Sequence, residues 1–487
     1  METLVRLENI LSRPLRATSS HSSKANHSRA PAEPEKIIAQ LRKIVGRENV
    51  LTDKTELICY SYDASCYSNL PDVVVFPNNT SEVSRIVRLA NRRRIPVTPR
   101  GAGSSLSGGP VPAKAGILVV LARMDRILEL DEDNLVLTCE VGITLRDLNR
   151  FLAKKALYFP VDPGSSEVAT IGGMIGENAS GMHSLKYGKT KDRVLSLEAV
   201  LPSGDVVQVG SRCSKCVSGY NIKELFIGSE GTLGIVTKAT LKISPILENY
   251  AVASASFRTT IDAGRAISRV VRDGIPISAL EFMDRHSISV VRSFTGLPLP
   301  DVAAIVLIEC TGSKEEVQSQ LAEVSKILRK EGAFEVKTSR DRKDADQLWY
   351  ARKVTYGAIS RIKPTALQAD PVVPVSRLPD YLAKLESIAK KYSLKIVSYG
   401  HAADGNLHPT VMVDERKPRE MKQAKKALAA IYQVALQLGG TLTGEHGIGS
   451  EKSEYFNLEW SDNVIAIMKS AKAALDPNNI MNPGKWV

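Results

Sequence analysis

The chain has 487 residues, of which 43% are hydrophobic and 24% are charged, and its formal net charge is +12. This length is too great for one hydrophobic core, so two or three domains are expected, and the longest apolar runs are strand-length, which excludes an integral membrane segment. Aromatic residues make up only 5%, which disfavours nucleic-acid binding, and anionic small ligands explain the positive charge at least as well.

Residues 1–34 differ in composition from the rest and are predicted to form a flexible N-terminal arm. Their Arg and Ser content also fits an organellar transit peptide, but Glu2 and Glu8 weaken that interpretation. The six cysteines are scattered along the chain, which indicates a reducing compartment rather than a disulfide framework. A cytoplasmic location is therefore expected, with peripheral association at the inner face of the membrane through a partner as the alternative.

From residue 35 the hydrophobic pattern alternates between helices and strands. Residues 35–248 are predicted to form the first domain, with helices at "EPEKIIAQLRKIVG" and at "TSEVSRIVRLANRRR", the latter capped by Thr80. Strands are predicted there at "DVVVFP", "IPVTPRG", "GILVVLA", "LVLTCEVG", "LSLEAVLPSG" and "GIVTKATLKISP".

A second domain is predicted for residues 249–440. It starts with the strand "YAVASASF", the helix "TIDAGRAISRVVRDG", the strand "DVAAIVLIEC" and the helix from "SKEEVQSQLAEVSKILRKEG". This alternation suggests a sheet with helices on one face. Residues 441–487 form a C-terminal segment whose helix ends before Pro477.

Three glycine-rich stretches occur in the first domain: "PRGAGSSLSGGPVP" (99–112), "DPGSSEVATIGGMIGENASGMHSLKYG" (162–188) and "FIGSEGTLGIVTKATLKISP" (226–245). The first lacks the dinucleotide fingerprint, because Leu106 stands where a glycine is required, and it lacks a P-loop lysine. Taken alone it is more typical of a tight surface turn. Together, the three stretches favour a long phosphate-bearing ligand such as a dinucleotide, held by backbone N–H groups.

Two short segments concentrate metal-binding and proton-handling side chains. "GHAADGNLHP" (400–409) carries His401 and His408, and "TLTGEHGIGSEK" (441–452) carries Glu445 and His446. Taken alone, the first two histidines are more often structural than ligating. Two histidines and a glutamate with open coordination positions are nevertheless typical of a catalytic metal site.

The motifs "VTPRGAGSSLSGG", "ATIGGMIGENASG", "LKYGKTKDRV", "IGSEGTLGIVT", "GHAADGNLHP", "GEHGIG" and "LDPNNIMNPGKW" resemble, in the same order, those of the FAD-linked 2-hydroxyacid dehydrogenases. The resemblance covers about residues 38–487. It implies an α+β fold: a two-subdomain FAD-binding domain of the vanillyl-alcohol-oxidase type, and an α+β substrate cap with an antiparallel sheet. The C-terminal segment with its Glu-His motif would return to the FAD domain.

The resemblance also implies a set of flavin contacts. Ser104 and Ser105 stand where members with covalent flavin carry a histidine, so FAD should be held non-covalently. His183 lies in the flavin-loop region and is either close to the ring or an ordinary loop histidine. The implied FAD-binding residues are Arg100, Gly101, Ala102, Gly103, Ser104, Ser105, Gly109, Pro163, Ala169, Thr170, Gly173, Asn178, Ser180, Glu230 and Ile235.

Further roles follow from the same resemblance. His401, His408 and Glu445 resemble the ligands of a divalent metal, and zinc, manganese and iron all suit such a set. His446 resembles the adjacent catalytic base. Arg352 stands where the family has the arginine that grips the substrate carboxylate, although an arginine on a helix, taken alone, is most often solvated.

The implied activity is oxidation of a small 2-hydroxyacid, D-lactate or glycolate, to the 2-oxoacid, with hydride transfer to FAD N5. Gln368 replaces the lysine of relatives that accept a dicarboxylate, Tyr356 shortens the pocket, and Lys363 is expected to point elsewhere. The alternatives are a D-2-hydroxyglutarate dehydrogenase and a non-catalytic flavin subunit of a glycolate oxidase. Electrons would pass to an electron-transferring flavoprotein, an iron–sulfur subunit, a quinone or oxygen.

Overall fold

The computed structural model describes residues 34–247 and 249–486. The predicted N-terminal arm lies outside the described residues, apart from Pro34. The chain divides into two compact units. We call residues 34–179, Lys189–Pro245 and 446–486 the terminal unit, and Ser180–Gly188 with Ile246–Glu445 the central unit.

The terminal unit contains a four-stranded sheet with two parallel pairings and an antiparallel five-stranded sheet. The order of the first is Val50–Leu51, Val73–Val75, Ile117–Val120, Val97–Arg100. The order of the second is Ile127–Asp131, Val136–Glu140, Ile235–Lys242, Val194–Val200, Val206–Gly210. A short third sheet pairs Ser244–Pro245 with Leu157–Tyr158.

Two helices of the terminal unit contribute Ile86 and Ile175 to an apolar core that they share with the strand residue Leu137. The helix predicted to begin with a Thr80 cap is capped instead by Asn79, whose side chain accepts a hydrogen bond from the backbone N–H of Glu82. The helices are Pro34–Val45, Lys54–Cys59, Thr80–Arg93, Leu145–Ala153, Ile171–Glu177, Thr190–Arg193, Lys223–Phe226, Phe456–Glu459 and Asp462–Leu475, with a 3-10 turn at Arg47–Asn49.

The central unit is built on an antiparallel six-stranded sheet and a three-stranded sheet. The order of the first is Glu335–Thr338, Asn249–Phe257, Ala304–Gly312, Ala279–Asp284, Tyr399–His401, Asn406–Leu407. The order of the second is Thr365–Gln368, Thr410–Val413, Lys395–Val397. The pairing of Ala279–Asp284 with Tyr399–His401 makes neighbours of residues that are far apart in the sequence.

The helices of the central unit are Ser184–Tyr187, Thr260–Arg272, Arg285–Thr295, Lys314–Lys330, Arg342–Lys353, Thr355–Ile359, Leu378–Tyr392 and Pro418–Gln437, with 3-10 turns at Val375–Arg377 and Ala402–Asp404. Met283, Trp349 and Met412 belong to its apolar core. Among the helices of the described ranges, none is long and apolar enough to cross a bilayer.

Candidate active site

His401 takes its position from the six-stranded sheet of the central unit. Its strand pairs with Ala279–Asp284, and the register places Glu281 directly opposite His401. Cross-strand neighbours of this kind have side chains on the same face of the sheet. His401 Nδ1 and Glu281 Oε1 form a hydrogen bond of 2.7 Å. This bond leaves Nε2 as the ring nitrogen available to a metal ion.

A tight turn brings His408 beside His401. The chain reverses through the 3-10 turn Ala402–Asp404 and Gly405, and the strand Asn406–Leu407 then pairs back onto Tyr399–His401. Gly405 has a φ of 74°, and a Cβ there would overlap the carbonyl of Val373, so only glycine fits the turn. The two imidazole centroids are 5.2 Å apart.

Glu445 completes a convergent group of three side chains. Its Oε1 atom lies 3.3 Å from Nε2 of His401 and 3.3 Å from Nε2 of His408. Its other oxygen, Oε2, accepts a hydrogen bond of 2.8 Å from Ser180 Oγ. Two imidazole nitrogens and one carboxylate oxygen therefore point at a common region, which is the donor set of an open catalytic metal site.

Asp370 is fully buried and connects the segments that carry these ligands. Its Oδ1 lies 3.2 Å from His408 Nδ1 and accepts a hydrogen bond from Asn406 Nδ2. Its Oδ2 accepts from Thr443 Oγ1 and from the backbone N–H groups of Gly444 and Glu445. Asp370 also lies close enough to His408 and Glu445 to share a metal with them, but its oxygens already accept several hydrogen bonds, which suits it to positioning His408 and Glu445.

The charge balance around His401 favours its protonated form when no cation is bound. Burial alone would lower the pKa of His401, but the carboxylates of Glu281 and Glu445 outweigh burial and raise the pKa well above its usual value. A buried site that stabilises a positive charge in this way is suited to a metal cation.

Arg352 is buried next to this group, with 6% of its surface exposed. Its Nε forms an ion pair of 2.6 Å with Glu281 Oε2, and its Cζ lies 4.9 Å from the centroid of the Tyr399 ring. Gln368 Nε2 donates to the Tyr399 hydroxyl at 2.6 Å. Arg352 is therefore not a solvated helix residue; its guanidinium is buried between Glu281 and the Tyr399 ring.

His446 follows Glu445 directly in the chain and opens the last segment of the terminal unit. Within that unit, the loop after it is fixed by Glu230, whose carboxylate oxygens accept hydrogen bonds from the backbone N–H groups of Ile448 and Gly449, both 2.8 Å long. Glu230, predicted to contact FAD, thus contacts the loop that carries the predicted base.

The first glycine stretch follows the strand Val97–Arg100 in the terminal unit. Gly103 has a φ of 74°, and a Cβ there would overlap the Arg100 guanidinium; a Cβ on Gly101 would overlap Thr170 Oγ1. Arg100 is buried, and its Nη1 has no hydrogen-bond partner within the part of the chain that the structure describes. A buried guanidinium with one unused N–H group beside a glycine-rich loop fits the pyrophosphate of FAD.

The second glycine stretch forms the helix Ile171–Glu177, which the sequence pattern did not predict. Thr170 caps it by accepting from the backbone N–H of Gly173 at 3.1 Å, and Asn178 ends it in a left-handed conformation. Ser105 Oγ donates to Glu177 at 3.0 Å, which connects the two stretches. The other predicted flavin residues of this unit are Ala102, Ser104, Gly109, Pro163, Ala169 and Ile235, of which Ala169 and Ile235 are buried in the apolar core.

Ser180 and His183 belong to the central unit. His183 Nε2 lies 2.9 Å from Glu309 Oε1, and its ring is tilted against Trp349.

The sequence patterns did not predict Glu281 and Asp370 as site residues. The available signal was an acidic residue inside or at the end of an apolar run, as in "ALEFMD" and "ALQADPVVP", because a charge in a buried strand requires a partner.

Comparison with known proteins identifies two matching family models and several related chains. A family model described as FAD binding domain matches residues 71–210, and one described as FAD linked oxidases, C-terminal domain, matches residues 246–486. The chain is 40% identical to glycolate oxidase subunit GlcD of Bacillus subtilis over 448 residues, covering 92% of this chain and 95% of that protein. It is 37% identical to D-lactate dehydrogenase of Archaeoglobus fulgidus over 418 residues, covering 85% and 91%.

Among solved structures, the chain is similar to p-cresol methylhydroxylase with substrate bound, with a TM-score of 0.81 at 17% identity over 94% of this chain and 98% of that one. It is also similar to alkyldihydroxyacetonephosphate synthase, with a TM-score of 0.73 at 20% identity over 99% and 92%. At these identities the likeness concerns the fold alone. The predicted α+β fold of the vanillyl-alcohol-oxidase type is confirmed.

Proposed function

The chain belongs to the FAD-linked oxidases and is an FAD-linked hydroxyacid dehydrogenase, and on that premise we propose that it uses a divalent metal to oxidise a small D-2-hydroxyacid. The observation that carries the metal proposal is the convergence of His401 Nε2, His408 Nε2 and Glu445 Oε1. FAD would be held non-covalently by the glycine stretches of the terminal unit, with Arg100 facing its pyrophosphate.

When bound, FAD supplies the hydride acceptor and a divalent cation supplies a Lewis acid for the substrate hydroxyl. His401, His408 and Glu445 would hold the cation. The Arg352 guanidinium would bind the substrate carboxylate through a planar pair of N–H donors. His446 would take the hydroxyl proton onto a neutral ring nitrogen, since an imidazole has a suitable pKa near neutral pH.

Small monocarboxylates are the proposed substrates, D-lactate first and glycolate second. Gln368 stands at the position where dicarboxylate-specific relatives carry a lysine. It is buried, and its Nε2 donates a hydrogen bond to the Tyr399 hydroxyl. Lys363 forms an ion pair of 2.8 Å with Glu420, which supports its exclusion from the site. One methyl group discriminates by only about 1–3 kcal/mol, so the specificity for D-lactate over glycolate should not exceed about 200-fold.

We further propose that the electrons leave through a protein partner. Relatives from Bacillus subtilis and from Escherichia coli are both named as glycolate oxidase subunits, which favours an enzyme that works with another chain. An iron–sulfur subunit or an electron-transferring flavoprotein would serve. A quinone or oxygen remains the alternative acceptor.

The test is anaerobic mixing of the flavoprotein with D-lactate, glycolate and D-2-hydroxyglutarate at equal concentration, followed by loss of the oxidised-flavin absorbance. This readout reports the substrate independently of the acceptor. We expect fast bleaching with the two monocarboxylates and slow bleaching with the dicarboxylate. A clear preference for D-2-hydroxyglutarate would overturn the proposed substrate class, and no bleaching with any of the three would favour a non-catalytic flavin subunit.

A further inference from the structure

Glu281 divides its two carboxylate oxygens between a proposed metal ligand and the proposed substrate arginine. Oε1 is hydrogen-bonded to His401 Nδ1 at 2.7 Å, and Oε2 forms the 2.6 Å ion pair with Arg352 Nε. The side chain is completely buried, with 0% of its surface exposed. A single carboxylate therefore touches both halves of the site within the central unit.

Glu281 is a charged residue within a mostly apolar buried strand. It lies inside the strand Ala279–Asp284, and its sequence neighbours Leu280 and Phe282 are buried hydrophobic residues. Burying a charge costs free energy, and replacing buried ion pairs with apolar residues is often neutral or stabilising. Fold stability alone therefore does not account for grouping Glu281, His401 and Arg352 in the interior.

We propose that Glu281 is a positioning residue that couples metal binding to binding of the substrate carboxylate; this inference rests on the proposed function. The Glu281 carboxylate accepts from His401 Nδ1–H, which leaves Nε2, on the side of Glu445 Oε1, as the nitrogen that gives up its proton to bind a metal ion. A carboxylate on the far ring nitrogen also makes a histidine a better metal ligand.

The same carboxylate orients Arg352. A guanidinium offers a planar fork of donors, and an ion pair made through Nε leaves the Nη1 and Nη2 groups to bind a substrate carboxylate. The Tyr399 ring, whose centroid lies 4.9 Å from Cζ, packs against the same guanidinium. The position of Arg352 relative to the metal ligands is thus set by one side chain on a central strand.

A glutamine at this position cannot satisfy both partners. If its oxygen accepts from His401 Nδ1, its NH2 group faces the Nε–H donor of Arg352. If its oxygen faces Arg352, its NH2 group donates to Nδ1 and selects the His401 tautomer with a hydrogen on Nε2, which cannot bind a metal. The Glu281→Gln variant therefore keeps the shape of the residue and loses one of the two functions.

The experiment titrates metal-depleted, flavin-loaded protein with Zn²⁺ in competition with a chromophoric chelator. For Glu281→Gln we expect the Zn²⁺ dissociation constant to rise by about 10–100-fold, the usual effect of losing such a partner. The KM for D-lactate should rise as well at saturating Zn²⁺. Glu281→Asp keeps the charge, but its side chain is too short to contact both partners, so it should also weaken Zn²⁺ binding. If Glu281→Gln does not fold, the Zn²⁺ dissociation constant of Glu281→Asp tests the proposal.

The matched control is Glu309→Gln. Glu309 is another buried carboxylate of the same sheet, on the adjacent strand, and it accepts from Trp349 Nε1 at 2.6 Å and from Ser278 Oγ. This variant should lower the melting temperature and leave Zn²⁺ affinity unchanged.

The outcomes separate the two proposals. Absence of Zn²⁺ binding in the unaltered protein, or binding that His408→Ala does not weaken, contradicts the proposed metal site itself. Normal binding in the unaltered protein, together with an unchanged dissociation constant in both Glu281 variants, overturns only the coupling role of Glu281.

Discussion

His401 lies in a negatively charged environment that favours a bound cation. The Glu281 carboxylate lies beside Nδ1 of the ring, and the Glu445 carboxylate lies beside Nε2. They hold the pKa of His401 well above its usual value even though burial acts in the opposite direction. A metal ion that binds Nε2 must therefore displace a proton.

The first prediction is that metal affinity depends steeply on pH. Below the raised pKa of His401, protons compete with the metal ion for Nε2. Each increase of one pH unit should therefore raise the metal affinity about tenfold. Above that pKa the dependence levels off. Zn²⁺ dissociation constants measured between pH 6 and 8 should fall as the pH rises, and a flat profile would show that His401 is not a ligand.

The second prediction concerns the proposed base. His446→Ala should lower the rate constant for flavin reduction by about two to four orders of magnitude, which is the usual contribution of a general base. Stopped-flow reduction under anaerobic conditions measures it. His286→Ala, which changes an exposed histidine, is the control and should leave the rate within twofold. A similar rate in His446→Ala would assign the proton transfer to another group.

At the scale of elements, the proposed flavin binding by the glycine stretches depends on their backbone conformation rather than on their side chains. Gly103 adopts a left-handed φ of 74° directly above the Arg100 guanidinium. An alanine there would destabilise the loop by about 1–2 kcal/mol through its backbone conformation, and its Cβ would also displace the Arg100 guanidinium.

The third prediction is that Gly103→Ala purifies with much less FAD than the unaltered protein. The ratio of flavin to protein absorbance measures this directly. Gly357→Ala is the control, because a Cβ at that position meets nothing within 4 Å, and it should keep its FAD. Full FAD occupancy in Gly103→Ala would remove the first glycine stretch from the flavin site.

Much of the element structure was predictable because strands and helices leave periodic signals. The strand Ala304–Gly312 and the helix Lys314–Lys330 appear where the pattern of apolar residues places them. The capping residue Asn79 was missed, since both Asn79 and Thr80 are good caps and only geometry selects one. The pairing of Glu281 with His401 was not predictable, because strand register joins residues 120 positions apart.

The whole molecule is expected to hold its flavin without a covalent bond. Ser104 and Ser105 occupy the loop position where a covalent attachment would need a histidine. The fourth prediction is that acid or denaturant releases all FAD into solution. Centrifugation after acid precipitation should give a yellow supernatant and a colourless pellet. Flavin that stays with the pellet would contradict the non-covalent assignment.

The central claim for the whole molecule is that hydroxyacid oxidation requires both FAD and a metal held by His401, His408 and Glu445. The most direct measurement is anaerobic reduction of the bound flavin by D-lactate, before chelation, after chelation and after a divalent cation is restored. Chelation should abolish bleaching without releasing FAD, and Zn²⁺ or Mn²⁺ should restore it, except in Glu445→Ala. Bleaching at an unchanged rate in metal-free protein would contradict the claim.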